Sequence, residues 1–272
     1  MTPPSSGAPE QAPIGNYPFG QPLRRVLQVD RSPKRAFVLG VYASAVHARW
    51  LSPAGRTLVA ALAVASEPYI FWRGDGVEDI IGRIVIPACA GRLVPATARL
   101  NGPSGQTLDD KVLTPLGLTR GNTWLCDLVP HTCLNPRQKA ALDRAYAPRM
   151  AEMGLPAVHL PDVPSSFADH ARRRDVLAEL VESRASTLIL LGDEPIRHWL
   201  RHFMPRWQRL SAFSEYGVLH EIELPGWKGR LLPLAHVRQV GALGAHSPKW
   251  FEAHRGWMRT KAHGLLSGAI VG

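Results

Sequence analysis

The chain has only three cysteines, Cys89, Cys126 and Cys133, odd in number and scattered. That suggests a reducing compartment and no disulfide framework, and falls short of the four thiolates an iron–sulfur cluster usually takes. No run approaches the roughly 18 consecutive apolar residues of a membrane-spanning helix. The first residues, MTPPSSGAPEQAPIG, lack the basic start and apolar core of a secretion signal. The expectation is a cytoplasmic protein with no membrane span. No Walker-type loop or dinucleotide glycine pattern occurs, which argues against a nucleotide-binding enzyme of those kinds. Carboxylates are scarce as well: 22 Asp and Glu face 32 Lys and Arg, a formal charge of +10. An excess of this sign favours polyanions, nucleic acid first and an anionic membrane surface second.

What is present reads as an α/β domain. Residues 1–22, rich in Pro, Ser and Gly, are expected to form a disordered tail, and 23–272 a single folded unit. Four short, nearly continuous apolar runs, RAFVLGVY (35–42), TWLCDLV (123–129), STLILLGD (186–193) and GRLLPLAH (229–236), resemble parallel strands covered on both faces. Helical patterns fall between them. Residues 54–66 are rich in Ala, Leu and Val; residues 135–150 open with Asn-Pro, a cap followed by proline at the first helical position. Residues 165–183 open with a capping box of Ser166 and Asp169, and 247–258 again with cap and proline. Segment 67–122, rich in Gly, Pro and Arg, reads as an irregular excursion or short extra strands. The alternation predicts a three-layer α/β/α fold around a central four-stranded parallel sheet, with its site at the strand C-termini.

Polar residues gather at those strand ends: Tyr42, Ser44 and His47 after the first run, Asp127 and His131 in and after the second. Asp193 and Glu194 follow the third, and His236, Arg238 and Gln239 the fourth. Asp127 stands inside an apolar run, where a carboxylate is costly unless paired or used. The convergence of these groups on one edge is the functional signal.

In order and spacing, LGVYASAVH, WLCDLVPHTCLNPR, LILLGDEPIRHW and LPLAHVRQVGAL, closed by the helix SPKWFEAHRGWM, resemble the motifs of the uracil-DNA glycosylase superfamily over about residues 35–262. The resemblance implies a monomeric enzyme that uses no metal or organic cofactor. It would bind single- or double-stranded DNA, flip out a base and hydrolyse its bond to the sugar. By position Gly40 matches the first-motif glycine, Asp127 the base-reading asparagine, and His236 the histidine that contacts the departing base. Tyr42 stands where many members carry a water-activating Asp or Asn. The activator is then elsewhere or unnecessary, with Asp127 or His47 as substitutes, or the chain binds DNA without cutting it. Ser44 matches the tyrosine that walls off C5 in uracil-specific members, and Val64 the base-stacking phenylalanine; both are smaller. An ionised Asp127 suits the exocyclic amine of cytosine better than O4 of uracil.

Together these point to a roomy pocket for a cytosine-like base with a C5 substituent. Such bases occur in the DNA of some bacteriophages, so a defensive role is expected ahead of repair. In the loop 236–246, Arg238, Gln239, Val240 and Leu243 are candidates for the wedge that replaces the flipped base. Arg49, Lys249, His254 and Arg255 are candidate phosphate contacts. Plain uracil excision in repair, and a catalytically silent DNA-binding module of the same fold, are the alternatives.

Overall fold

A computed structural model describes residues 12–267. The four apolar runs become β1 (Ala36–Tyr42), β5 (Thr123–Val129), β6 (Thr187–Leu191) and β8 (Trp227–Leu234). Between the first two lie β2 (Ala45–Leu51), β3 (Thr57–Ser66) and β4 (Arg92–Pro95), and β7 (His220–Leu224) precedes β8. The main sheet runs β5-β1-β6-β8-β7. Its strands pair in parallel except β7, which pairs antiparallel to β8. The sheet is thus mostly parallel and five-stranded; the expected set of four missed β7, whose HEIEL sequence alternates and is half exposed.

Both faces of this sheet are covered, which is why its strands read as continuous apolar runs. Among the helical segments are α1 (Pro103–Leu108), α2 (Pro136–Ala141), α3 (His170–Glu182), α4 (Val237–Val240) and α5 (Pro248–Thr260). Phe37, Leu39, Trp124 and Leu188 point to one face and pack with Val176 and Leu180 of α3. Val38, Leu125, Ile189 and Leu232 point to the other, against Leu108 of α1 and Trp257 of α5. Asn135 caps α2 as expected, accepting from the amides of Arg137 and Gln138 at 3.0 Å each. The capping box at Ser166 does not form. Asp169 is itself the cap of α3 and accepts from the amide of Arg172 at 2.7 Å, while the Ser166 hydroxyl donates to Ala168 O.

Residues 54–66 are not helical. They contribute β3 to a second, antiparallel sheet of order β3-β2-β4. Ala and Leu favour helix locally, but pairing with β2 overrides that preference. Bulges at Val46/His47 and around Trp50 break the strict alternation that would have marked a strand. In the stretch LGVYASAVHARW, β1 ends at Tyr42, Ala43 and Ser44 make a two-residue step, and β2 begins the second sheet. Ordered packing also starts earlier than expected. Gly15–Asn16 pairs with Pro22–Leu23, and the buried Tyr17 hydroxyl donates to Thr132 Oγ1 at 2.7 Å. Only residues 1–11 of the expected tail lie outside the described residues. Among the described residues no helix is long and apolar enough to cross a membrane.

Candidate active site

At the C-terminal edge of the main sheet lies a cleft of about 540 Å³. It adjoins a smaller chamber of about 90 Å³. Tyr42, Ser44, Ser104 and His236 line both, so they form the common wall. The small chamber also holds Asp127, Glu67, Phe71 and Leu100; the large cleft takes His47, Ala63, Asn135 and Gln138.

Asp127 sits on β5 directly beside Gly40 on β1. A Cβ at residue 40 would stand 2.2 Å from Asp127 Oδ1 and 2.7 Å from the Phe71 ring. The glycine is therefore a steric necessity of the carboxyl next to it. Oδ1 is buried and has no hydrogen-bond partner, an arrangement that costs free energy unless a ligand completes it. Arg172 of α3 fixes the strand end from behind, donating to Leu128 O at 3.0 Å and Asp127 O at 2.7 Å while paired with Glu179 at 3.1 Å. Burial pushes the Asp127 carboxyl up to about 7, against the opposing pull of Arg172. The ionised form assumed from sequence is therefore only one of two forms present near neutrality.

Glu67 is the residue the sequence reading missed. It is 4% exposed and follows the last residue of β3. Burial, and then the negative charge of Asp127, push it up to about 8; the backbone amides of Ser44, Trp72 and Phe71 pull the other way by stabilising the anion. Its loop is held in an uncommon shape, Phe71 having φ of 54°. Arg120 clamps that loop, donating to Ile70 O at 3.2 Å and Phe71 O at 2.7 Å, and pairs with Asp109 at 2.9 Å. The signal was a lone carboxylate closing an apolar run, and it was hidden by reading 54–66 as helix.

His236 caps α4: its Nδ1 accepts from the amide of Arg238 at 3.2 Å. That leaves the proton on Nε2. Burial, and then the Arg238 charge, push the imidazole down to about 4, so it is a neutral donor near pH 7. Gly192, with φ of 89°, ends β6 against it; a Cβ there would lie 3.0 Å from that of His236.

Other expected residues are placed differently. The His47 main chain is clamped by Asn101, whose amide group accepts from His47 N at 2.8 Å and donates to His47 O at 2.9 Å. Its ring faces the large cleft with Nδ1 buried and unpartnered, and burial lowers its pKa. It lines no part of the chamber that holds Asp127, which counts against it as a stand-in water activator. Val64 is fully buried in the core behind the second sheet, whereas Ala63 faces the cleft; a one-residue shift on a strand reverses the face. Val64 is no base-stacking residue. Val240 is 4% exposed within the main core and cannot serve as a wedge.

Arg238 is exposed, Leu243 half-buried, and the Gln239 side chain accepts from the amide of Ser247 at the cleft wall. His254 is buried, with Nε2–H donating to Lys111 O at 2.8 Å and Nδ1 accepting from the Tyr216 hydroxyl at 2.6 Å. It ties α5 to the body and is no phosphate contact. Arg49 and Lys249 are exposed, and the exposed Arg255 is paired with Glu252 at 2.7 Å. Among the described residues no group of three or more His, Cys, Asp or Glu is arranged to hold a metal ion. In comparisons with protein-family models and with curated proteins, the chain has no significant match.

Proposed function

We propose that this chain is a DNA glycosylase of the uracil-DNA glycosylase type that flips out a C5-substituted, cytosine-like pyrimidine and hydrolyses its bond to the sugar. The observation that carries the proposal is the pair of adjoining spaces with the small Ser44 in their common wall. A base seated against Asp127 in the small chamber can pass a C5 substituent by Ser44 into the large cleft. A tyrosine at that position would close the way. The likeness of the four strand-end motifs to that superfamily, and the +10 charge that suits a phosphate backbone, support the same reading.

The chemistry follows from charge. Breaking the base–sugar bond leaves positive charge on the sugar and negative charge on the base. His236, a neutral imidazole with its proton on Nε2, donates to the departing base as that charge grows, a contribution of about 10²–10³ in rate for one such donor. A neutral Asp127 presents one donor and one acceptor, which match N3 and the N4 amine of cytosine. With its two oxygens exchanged, the same acid fits uracil. That favours uracil excision as the second reading, and the choice between them falls to Ser44 and the cleft. A defensive role against DNA carrying such bases follows from the first reading, and repair from the second.

The test is a panel of oligonucleotides carrying uracil, cytosine and several C5-modified cytosines, incubated with the protein and treated with alkali to reveal abasic sites. Strand scission is expected at a C5-modified cytosine, and Ser44→Tyr should abolish it while sparing any activity on an unsubstituted base. A wild-type preference for uracil over every modified cytosine replaces the proposal with its alternative. DNA binding with no scission anywhere on the panel leaves the silent module.

A further inference from the structure

We infer that Glu67 orients and activates the hydrolytic water in this site, from the end of β3 rather than from the turn after β1. The inference rests on the glycosylase reading and assigns the step that reading leaves without a residue. After β1 the position expected to hold an acid is Tyr42, whose phenol burial keeps protonated. His47 faces the other cleft. Asp127 is engaged at the base edge, its unpartnered Oδ1 filling the space that Gly40 leaves. Glu67 remains. It is almost fully buried, lines the small chamber together with Asp127 and His236, and has the amides of Ser44, Phe71 and Trp72 near enough to favour its anion. Its loop is locked in turn by Arg120.

The bond between the sugar C1′ and the base nitrogen breaks, and its electron pair leaves with the base. Water oxygen bonds to C1′ while one of its protons passes to the Glu67 carboxylate. The base anion, held by His236 Nε2–H, takes a proton from solvent. An ionised Glu67 also lies near the cationic sugar and stabilises it. Four titratable groups surround it. Tyr17 is held up to about 12, Tyr42 is raised, and His236 is held down to about 4, so Asp127 is the neighbour that titrates with it near neutrality. The rate should therefore climb with pH as the Glu67–Asp127 pair gives up its first proton and fall again as the second leaves, because the base contact needs a neutral Asp127.

The experiment measures single-turnover excision from pH 5.5 to 9 on the oligonucleotide that the wild-type protein cuts, with Glu67→Gln and Glu67→Asp beside it. Duplex affinity and thermal unfolding are followed in parallel. Glu67→Gln is expected to lose about 10²–10⁴ in rate, the scale of general acid–base catalysis, and to lose the rising limb as well. Its DNA affinity should stay within about threefold of wild type, the error expected when no binding contact is removed. Glu67→Asp should recover part of the rate with the limb displaced. A Glu67→Gln variant as fast as wild type, or one that keeps the same limb, overturns the assignment and leaves glycosylase activity standing. If Glu67→Gln does not fold, an unshifted limb in Glu67→Asp does the same. A wild-type protein that cuts nothing on the panel removes the glycosylase reading, and the assignment with it.

Discussion

Asp127 and Glu67 bring two carboxyls into one small buried chamber, and such a pair makes stability depend on pH. Each binds a proton in the folded chain, up to about 7 and about 8, that it has already released in the unfolded chain above its ordinary value near 4. Folding stability is therefore lost as pH rises through the folded values. The half-buried His236 and the buried His254, both held down to about 4, act in the opposite sense, but only below about 6.5, where unfolded histidine is protonated. From pH 7 to 8.5 the carboxyls are unopposed. Calorimetry should show the wild-type melting temperature falling across that window, with a smaller fall in Glu67→Gln; 1 kcal/mol corresponds to about 2–4 °C for a chain of this size. Equal slopes would mean that Glu67 titrates alike in both states. Of the two acids only Asp127 could be picked out from sequence, because a carboxylate inside TWLCDLV breaks an apolar run. Glu67 stands beside Ser66 and Pro68, where a carboxylate attracts no notice until the strand before it is recognised.

The element that carries Glu67 is a loop whose shape comes from elsewhere. Residues 69–74 pack on α1 so closely that a Cβ at Gly105 would lie 2.1 Å from Phe71 O, and Arg120, from the segment leading into β5, ties the loop carbonyls down. Arg120→Met keeps the apolar stem but leaves the Ile70 and Phe71 carbonyls without that donor. It should cost about 1–3 kcal/mol of stability, the scale for buried groups stripped of a partner. Below the melting range, excision should still be slowed while duplex affinity holds. Normal turnover in a destabilised variant would show that the loop keeps its shape without the clamp. The parallel strands were legible because helices on both faces demand unbroken apolar residues. β3 was not, since Ala-rich sequence suits a helix equally well and the bulged pairing that decides the matter comes from β2, across a turn. The cap of α3 is Asp169 and not Ser166: either residue type can cap, but the helix begins only at His170, and the Ser166 hydroxyl is spent on Ala168 O.

At the scale of the whole molecule, the charge of +10 and the position of exposed cations bear on how DNA would approach. Arg238 and Lys249 lie in the segments that wall the cleft, and Arg49 stands on β2 two residues beyond His47, on the same face of the strand. If these three meet phosphates, duplex affinity should fall with salt at a slope of about 0.9 in log K per contact. Arg238→Ala should reduce that slope by about one unit. A flat response in a filter-binding or fluorescence titration would remove DNA as the partner.

The two-residue step at Ala43–Ser44, where the chain leaves one sheet for the other, separates two kinds of change. Asp127 stands on the parallel sheet and His236 in the turn after β8, whereas His47, Ala63, the α2 cap Asn135 and Gln138 of α2 line the space beyond Ser44. Substitutions at the cleft-facing positions of the antiparallel hairpin, short of its end at Glu67, can thus resize what the cleft admits without disturbing the groups proposed to break the bond. A lineage built this way could follow a changing repertoire of base decorations by editing one hairpin, with the reactive machinery held constant. Laboratory variation confined to the cleft-facing positions of residues 45–63 would be the direct way to retarget it.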